Sequence, residues 1–563
     1  MGILSLFRKQ LKAVASIFAI VTVSTVSPAL AQNIDTNVKY QEIEGFGASI
    51  AFYNGWVTAH RNVKEIYDII FTDLQPSIFR IANWNQDLGH PNAQKERDRV
   101  GGLKTDSTII AEGRKRIGNR FKILMCSWRI PEYLRVGERG DGVNTLKKDN
   151  NGQYMYAQYG QWWKNSLIDY ERFGIRPDWI SIQNEPDFNY DSTQSSLLSW
   201  KEGNYGNAGY GPALKAVYDS IRTLPRRQNG QLKIIGPEVL GIGWGNFDNY
   251  MNNLDTALLD GYAYHIYGQG NYDSPDGIRT HVQNTAKWNN KPHFMTEFSW
   301  NNDKPEDNMI GIARLIINHL VYGNLSAYID WTLVWPEPEG EMVQIEFPWG
   351  AYTKFPRGYN ILPEYHGMRH FTRYVNPGMR RVKMTALPSL VRAAAFATAN
   401  NDTVVAVLVN TGQTEKSLNI NGLYGYDLSE ICLSVKDGPK SASNKPSKII
   451  SATEIPAEIP AQLPGKSIAT IVWVRSEPTI ISDTFESARP SIAVKGKTLN
   501  VSSPDNAEMQ IRVVDLSGRT IANFNTKGDA NLSLEKIPAG AYIIKAQRVK
   551  DGLKITSNVV LMK

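Results

Sequence analysis

Two glutamates in this chain stand where an apolar run gives out. Glu185 closes the run from Trp179 to Asn184 and precedes Pro186, and Glu297 closes the run from His293 to Thr296. A stretch of this character reads as a strand covered on both faces. Proline cannot donate to a ladder, so pairing should stop at Pro186 and leave Glu185 at the strand's C-terminal rim. Two carboxylates at one rim can split an acetal: one protonates the leaving oxygen, and the other attacks the anomeric carbon or activates water there. Taken singly, either glutamate is equally well explained by a salt bridge to a neighbouring Arg or Lys. The triplet Asn184-Glu185-Pro186 is also too short to be specific, so the argument depends on both glutamates falling on matching strands.

Eight apolar, β-branched runs are spaced to do this: 45–50, 77–83, 122–128, 179–185, 233–238, 261–268, 293–300 and 327–335. Between them, Val63 to Thr72, Gln158 to Phe173, Pro212 to Thr223 and Met309 to Tyr322 repeat apolar residues every three or four positions, as helices do. Alternating strands and helices predict an α/β fold, a (β/α)8 TIM barrel over residues 45–376. Glu185 and Glu297 then end the fourth and seventh strands, separated by three steps of about 37 residues, and both face the cleft where such barrels carry their chemistry. One member of such a pair must hold a proton, its pKa raised by desolvation or by its partner's charge, and the other must stay ionised.

Other strand ends supply a setting. Arg80 closes the second strand and is placed to orient a carboxylate, unless it is only a barrel ion pair. Tyr267, from the sixth strand, could donate to Glu297. Trp84, Trp128, Trp300, Trp331 and Trp335 offer indole faces on which the C–H faces of a sugar can stack. Core packing is the alternative for each, and Trp128 and Trp331 are the stronger candidates.

The chain's ends read differently. Arg8, Lys9 and Lys12 precede an apolar run from Ala13 to Val26, then Ser27 to Ala31, which predicts a secretory signal peptide over 1–31. The run is too short for a membrane anchor, and no transmembrane segment is expected elsewhere. Residues 32–44 are expected to add a strand to a β-sandwich side domain at 377–475, where short alternating strands at 390–397, 403–410, 416–419 and 468–474 replace the helical pattern. A small C-terminal all-β domain follows at 476–563.

The formal charge of +7 is carried by those ends. Residues 1–31 hold three basic residues and no acidic one, and 481–563 hold twelve basic against eight acidic, so 32–480 is balanced. A neutral, aromatic-rich body argues against nucleic acid and suits a neutral polysaccharide or oligosaccharide. Cys126 and Cys432 are expected to be two buried thiols, and the eight histidines show no metal-ligand spacing. No metal or other cofactor is expected.

Five segments in order resemble glycoside hydrolase family 30: EGFGAS at 44–49, ISIQNEPDF at 180–188, YHIYG at 264–268, FMTEFSW at 294–300 and EYHGMRHFTRYVNPGMRRV at 364–382. The resemblance runs from about residue 37 to 475. It implies a retaining enzyme with Glu185 as acid/base and Glu297 as nucleophile, Asn184 on the sugar 2-hydroxyl, and His265 in the substrate site. For retention the carboxyl groups should lie roughly 5 to 5.5 Å apart. The family's Arg-rich loop for an acidic branch is absent from AYIDWTLVWPEPEG at 327–340. Recognition of an acidic branch is therefore not expected. A secreted enzyme with several rim tryptophans suits an extended chain, so the favoured activity is endo-hydrolysis of a plant-type β-linked backbone, a glucuronoxylanase-like endo-β-1,4-xylanase first. Exo-acting β-glucosidase or glucosylceramidase, β-1,6-glucanase, and an inactive glycan-binding surface protein are the alternatives. The segments VVDLSGRTI at 513–521 and IPAGAYIIKA at 537–546 resemble the sorting domain of the Bacteroidetes type IX secretion machinery, without its usual Pro-rich opening. That implies a secreted or cell-surface protein, and a monomer is expected.

Overall fold

The computed structural model describes residues 32–84, 102–137, 144–188, 195–225, 231–244, 246–267, 288, 290–299, 308–337, 340–435, 448–450, 462–476, 490–503, 506–515, 519–550 and 554–561. The segment 1–31, expected to be a signal peptide, and Trp300 lie outside them. Strand β1 (Gln32–Glu42) belongs to a side sheet. Eight parallel strands then close a barrel: β2 (Gly45–Ser49), β3 (Ile78–Ala82), β4 (Lys122–Cys126), β5 (Trp179–Ser181), β6 (Lys233–Val239), β7 (Gly261–His265), β8 (His293–Glu297) and β9 (Ala327–Asp330). Each starts within one residue of the apolar run assigned to it from sequence, but most end earlier, β5 at Ser181 and β9 at Asp330. At the β2–β3 seam, a Cβ on Gly47 would stand 1.7 Å from the carbonyl oxygen of Ile78, so only glycine fits there.

Side chains alternate along a strand, so the barrel interior fills in layers. Ile78, Leu124, Trp179, Ile235, Ala263, Phe294, Ala327 and Ile329 form a dry lower cluster. Two residues further along their strands come Arg80 and Cys126, both fully buried. Above them Ala82, Trp84 and Trp128 pack with Ala51 in an upper, aromatic cluster. Arg80 is thus a cation held between two apolar layers, which requires carboxylates beside it.

Helices at Gly102–Ile117, Tyr156–Arg172, Tyr210–Ile221, Asn246–Asn253, Asn308–Tyr322 and Pro363–Thr372 alternate with or follow these strands. In Tyr156–Arg172 the buried set Tyr159, Trp162, Trp163, Ser166, Leu167 and Tyr170 keeps the spacing of three and four that marks one helix face. The segment expected as one helix from Val63 to Thr72 is a short α-helix, Val63–Tyr67, that widens into a π-helix over Asp68–Leu74.

The side domain contains one eight-stranded sheet and a two-stranded ribbon of Lys416–Ser417 with Gln462–Leu463. Strand β1 pairs antiparallel with Arg380–Thr385 and parallel with Ile420–Asn421, so the start of the described chain is woven into the sheet. Along Val391–Ala397, Ala394 and Phe396 join the core shared with the barrel, while Ala393, Ala395 and Ala397 join a second core on the other face. The C-terminal module has a three-stranded and a four-stranded antiparallel sheet over a core that includes Leu499, Met509, Ile511, Val513 and Ile544. Cys126 and Cys432 are buried and free. No described helix is long and apolar enough to cross a membrane.

Candidate active site

Arg80 organises the barrel mouth. Its Nη1 donates to Oε2 of Glu297 at 2.5 Å, and its Nη2 donates to Oδ1 of Asn184 at 2.7 Å and to Oε1 of Glu238 at 3.1 Å. The guanidinium carbon also lies 4.3 Å from the centre of the Trp128 ring. Because Arg80 takes the amide oxygen of Asn184, that side chain is fixed with its NH2 as the remaining donor. The Tyr267 hydroxyl donates to Oε1 of Glu297 at 3.3 Å.

His265 joins the other carboxylates. Its Nδ1 lies 2.8 Å from Oε1 of Glu185 and its Nε2 lies 3.7 Å from Oε1 of Glu238. One oxygen each from Glu185 and Glu297 and a ring nitrogen of His265 fall within 4.8 Å of one another. That geometry could hold a metal ion, but Arg80 already sits on Glu297 and supplies the positive charge such a cluster needs.

Backbone irregularities aim these groups. Glu185 (φ 41°) and Glu238 (φ 63°) both occupy the left-handed region, an uncommon state for a side-chain-bearing residue, and the Glu185 N–H donates to the Glu238 carbonyl at 3.0 Å. The β6–β7 register shifts between Pro237 and Val239, so Glu238 is an extra residue. The β7–β8 register shifts so that Tyr264 faces Met295 while His265 faces Glu297, leaving Thr296 extra. Such bulges re-aim side chains at barrel rims.

The environment pushes Glu185 and Glu238 in opposite directions. Burial, aided by the charge of Glu297, pushes Glu185 up to about 7 even though the bond from His265 pulls the other way. Burial also opposes ionisation of Glu238, but Arg80 and His265 overrule it and hold that carboxyl well below its ordinary range. Burial alone would lower His265, yet Glu297, Glu185 and Glu238 raise it to about 9. With His265 protonated, Nδ1–H donates to Oε1 of Glu185, so a proton on Glu185 belongs on Oε2.

Around this polar group stands an aromatic wall. Phe52 is its hub, with ring centres 5.4 Å from Trp84, 6.1 Å from Trp128, 5.5 Å from Trp331 and 5.9 Å from Trp335. Trp84 is buried, and its indole N–H is spent on the Ala51 carbonyl at 3.1 Å. Trp128 is also buried, whereas Trp331 and Trp335 are half-buried. The structure therefore brings together Glu185, Glu297, Asn184, Arg80, His265, Tyr267 and four of the five tryptophans singled out from sequence. Sequence reasoning missed Glu238 and Phe52. Glu238 carried a usable signal, since it too closes an apolar run, Lys233 to Pro237.

Residues 177–332 match the family described as glycosyl hydrolase catalytic core, and residues 495–562 match the secretion system C-terminal sorting domain. Putative glucosylceramidase 1 of Caenorhabditis elegans is 22% identical over 438 residues, covering 68% of this chain and 76% of that protein. Glucuronoxylanase XynC of Bacillus subtilis strain 168 is 23% identical over 306 residues, covering 52% of this chain and 62% of the relative. Among solved structures, a GH30 endoxylanase from Clostridium papyrosolvens superposes with a TM-score of 0.56 at 21% identity, covering 79% of this chain and all of that one. The sorting domain assigns the chain to export by the type IX pathway. The chain is a glycoside hydrolase that resembles family 30 in its barrel and side domain and ends in a secretion-system sorting domain.

Proposed function

We propose that this chain is a retaining β-glycoside hydrolase that cleaves a plant-type β-linked polysaccharide, with a β-1,4-xylan backbone as its first substrate. The observation that carries this is the pair Glu185 and Glu297, with oxygens within 4.8 Å and with Glu185 pushed up to about 7. That spacing favours retention, since inversion needs carboxyl groups roughly 6.5 to 9.5 Å apart to admit a water.

In the first step Glu297 attacks the anomeric carbon as the proton on Oε2 of Glu185 passes to the leaving oxygen, giving a glycosyl ester and a free sugar end. In the second, Glu185 takes a proton from water, which displaces Glu297 and restores both groups. Arg80 and Tyr267 hold Glu297 in line, and the fixed NH2 of Asn184 meets the 2-hydroxyl. Similarity to a glucuronoxylanase and an endoxylanase supports xylan. The longer match to a glucosylceramidase-named protein supports a second reading, exo-hydrolysis of a β-glucoside.

The test is hydrolysis of xylan, β-1,6-glucan and aryl β-glycosides by the wild type and Glu297→Ala. Equal activity in both proteins would end the nucleophile assignment. Tight glycan binding without turnover by the wild type would make the protein a binding module. Release of single sugars alone from chain ends would favour the exo reading.

A further inference from the structure

The aromatic wall does not stop at the barrel mouth. Trp331 meets Trp335 at 5.8 Å between ring centres, and Trp335 meets Tyr53 at 4.7 Å. Tyr53 meets Trp56 at 4.8 Å, Trp56 meets Phe347 at 5.3 Å, and Phe347 meets Trp349 at 4.9 Å. The rings grow more exposed along this line. Trp331, Trp335, Tyr53 and Trp56 are half-buried, but Phe347 is 50% and Trp349 64% exposed.

Two large apolar rings in solvent at the end of a continuous strip are costly unless something covers them. The loop that bears them is also built to stay in place. The Glu346 carboxylate accepts from the backbone N–H groups of Thr353 (2.8 Å), Lys354 (2.9 Å) and Phe355 (2.9 Å). Arg61 donates to the Gly350 carbonyl at 2.5 Å and Asn62 to the Arg357 carbonyl at 2.9 Å, while His60 stacks on Tyr352 at 4.8 Å. A loop pinned from both sides presents its aromatic rings with little conformational entropy left to lose on binding.

We propose that Trp56, Phe347 and Trp349 form a distal subsite for a β-linked glycan chain whose scissile bond lies between Glu185 and Glu297. This rests on the hydrolase reading and makes it more specific: the substrate is a polymer gripped along the strip on one side of the cleft, and cleavage is internal. Continuity with the candidate site selects a glycan as occupant, because a chain threaded past Trp331 and Trp335 meets these rings next. Sugar C–H faces and aromatic rings are complementary surfaces, as they are at the cleft itself.

The experiment uses the full chain, Trp349→Ala and Phe347→Ala, with xylan, β-1,6-glucan and an aryl β-xyloside and β-glucoside as substrates. Both variants change exposed side chains, and melting temperatures equal to wild type establish folding. Expected is a KM for the cleaved polymer about fivefold to tenfold higher, the scale of roughly 1 kcal/mol of lost stacking, with aryl glycoside kcat/KM changed less than twofold. Equal loss on polymer and aryl glycoside, or unchanged polymer KM, overturns the subsite. So does concentration-dependent dimerisation that Trp349→Ala abolishes while polymer kinetics stay at wild type, which would give the strip to a second copy. A wild type that cleaves aryl glycosides and neither polymer overturns the subsite and leaves the hydrolase reading standing. A wild type that cleaves none of the substrates overturns both.

Discussion

His265 and Glu185 share a 2.8 Å contact between Nδ1 and Oε1 in which both groups are pushed up, Glu185 to about 7 and His265 to about 9. In the proposed mechanism the proton that reaches a leaving group comes from the oxygen His265 does not touch. The rate should fall as pH rises through about 7, because the acid form of Glu185 is lost there. A profile of kcat/KM with no alkaline limb below pH 9 would contradict this.

The same contact fixes the sign of a variant. His265 lowers the pKa of Glu185 through both its bond and its charge. Removing it in His265→Ala should move the alkaline limb to higher pH while reducing the maximum rate. A limb that stays in place or moves to lower pH would show that His265 does not tune Glu185.

Leaving-group dependence separates the two glutamates. Glu185→Ala should lower kcat on xylan by ~10²- to 10⁴-fold, the usual scale of acid catalysis. It should matter far less with an activated dinitrophenyl glycoside, whose departure needs no proton. Glu297→Ala should disable both substrates, and steady-state rates on the pair discriminate the roles.

Glu238 touches Arg80, Cys126 (Sγ to Oε2, 2.8 Å) and the neighbourhood of His265 from a fully buried position. Glu238→Ala leaves Arg80 short of a partner in a closed interior, a loss on the order of 3 to 5 kcal/mol. Its carboxyl is depressed in the folded state, so its stabilising effect is fully present above the ordinary carboxylate range and is lost progressively as pH falls from that range towards the depressed folded value. Denaturant unfolding at pH 7 should show the deficit, and at low pH the gap between variant and wild type should narrow.

Gly47→Ala tests the barrel seam. A methyl group would meet the Ile78 carbonyl at 1.7 Å, and backbone cannot step aside as a side chain can. We expect a loss larger than the ~1 to 3 kcal/mol of ordinary overpacking, read as a drop in melting temperature or in soluble yield. A melting temperature equal to wild type would refute it.

Much of this architecture is legible in the residues, for identifiable reasons. The eight barrel strands are covered on both faces, so their apolar runs are continuous and easy to find. Arg80 and Glu185 announce themselves as charges at the ends of such runs. Glu238 closes its run, 233–238, in the same way, but a bulge that is invisible in sequence is what carries it inward to Arg80. Glu297 was identified correctly as a strand-end residue, yet simple alternation would have placed Thr296 and Glu297 on opposite faces without the bulge that decides which one faces the cleft. Phe52 precedes a helix and has no strand-end signature. In the side domain, Arg380–Thr385 and Tyr426–Val435 mix charges with their apolar residues, and neither was among the strands expected there.

Strand β1 has one more implication. Its partners, Arg380–Thr385 and Ile420–Asn421, are synthesised more than three hundred residues later, so the loop it closes is among the longest in the chain. Long-range pairing of this kind forms late, after its closure entropy has been overcome. Until then the edge of Arg380–Thr385 remains open to other strands. A nascent or translocating chain therefore exposes a pairing edge until its first described strand comes home, and trimming residues 32–42 should raise aggregation before it touches catalysis.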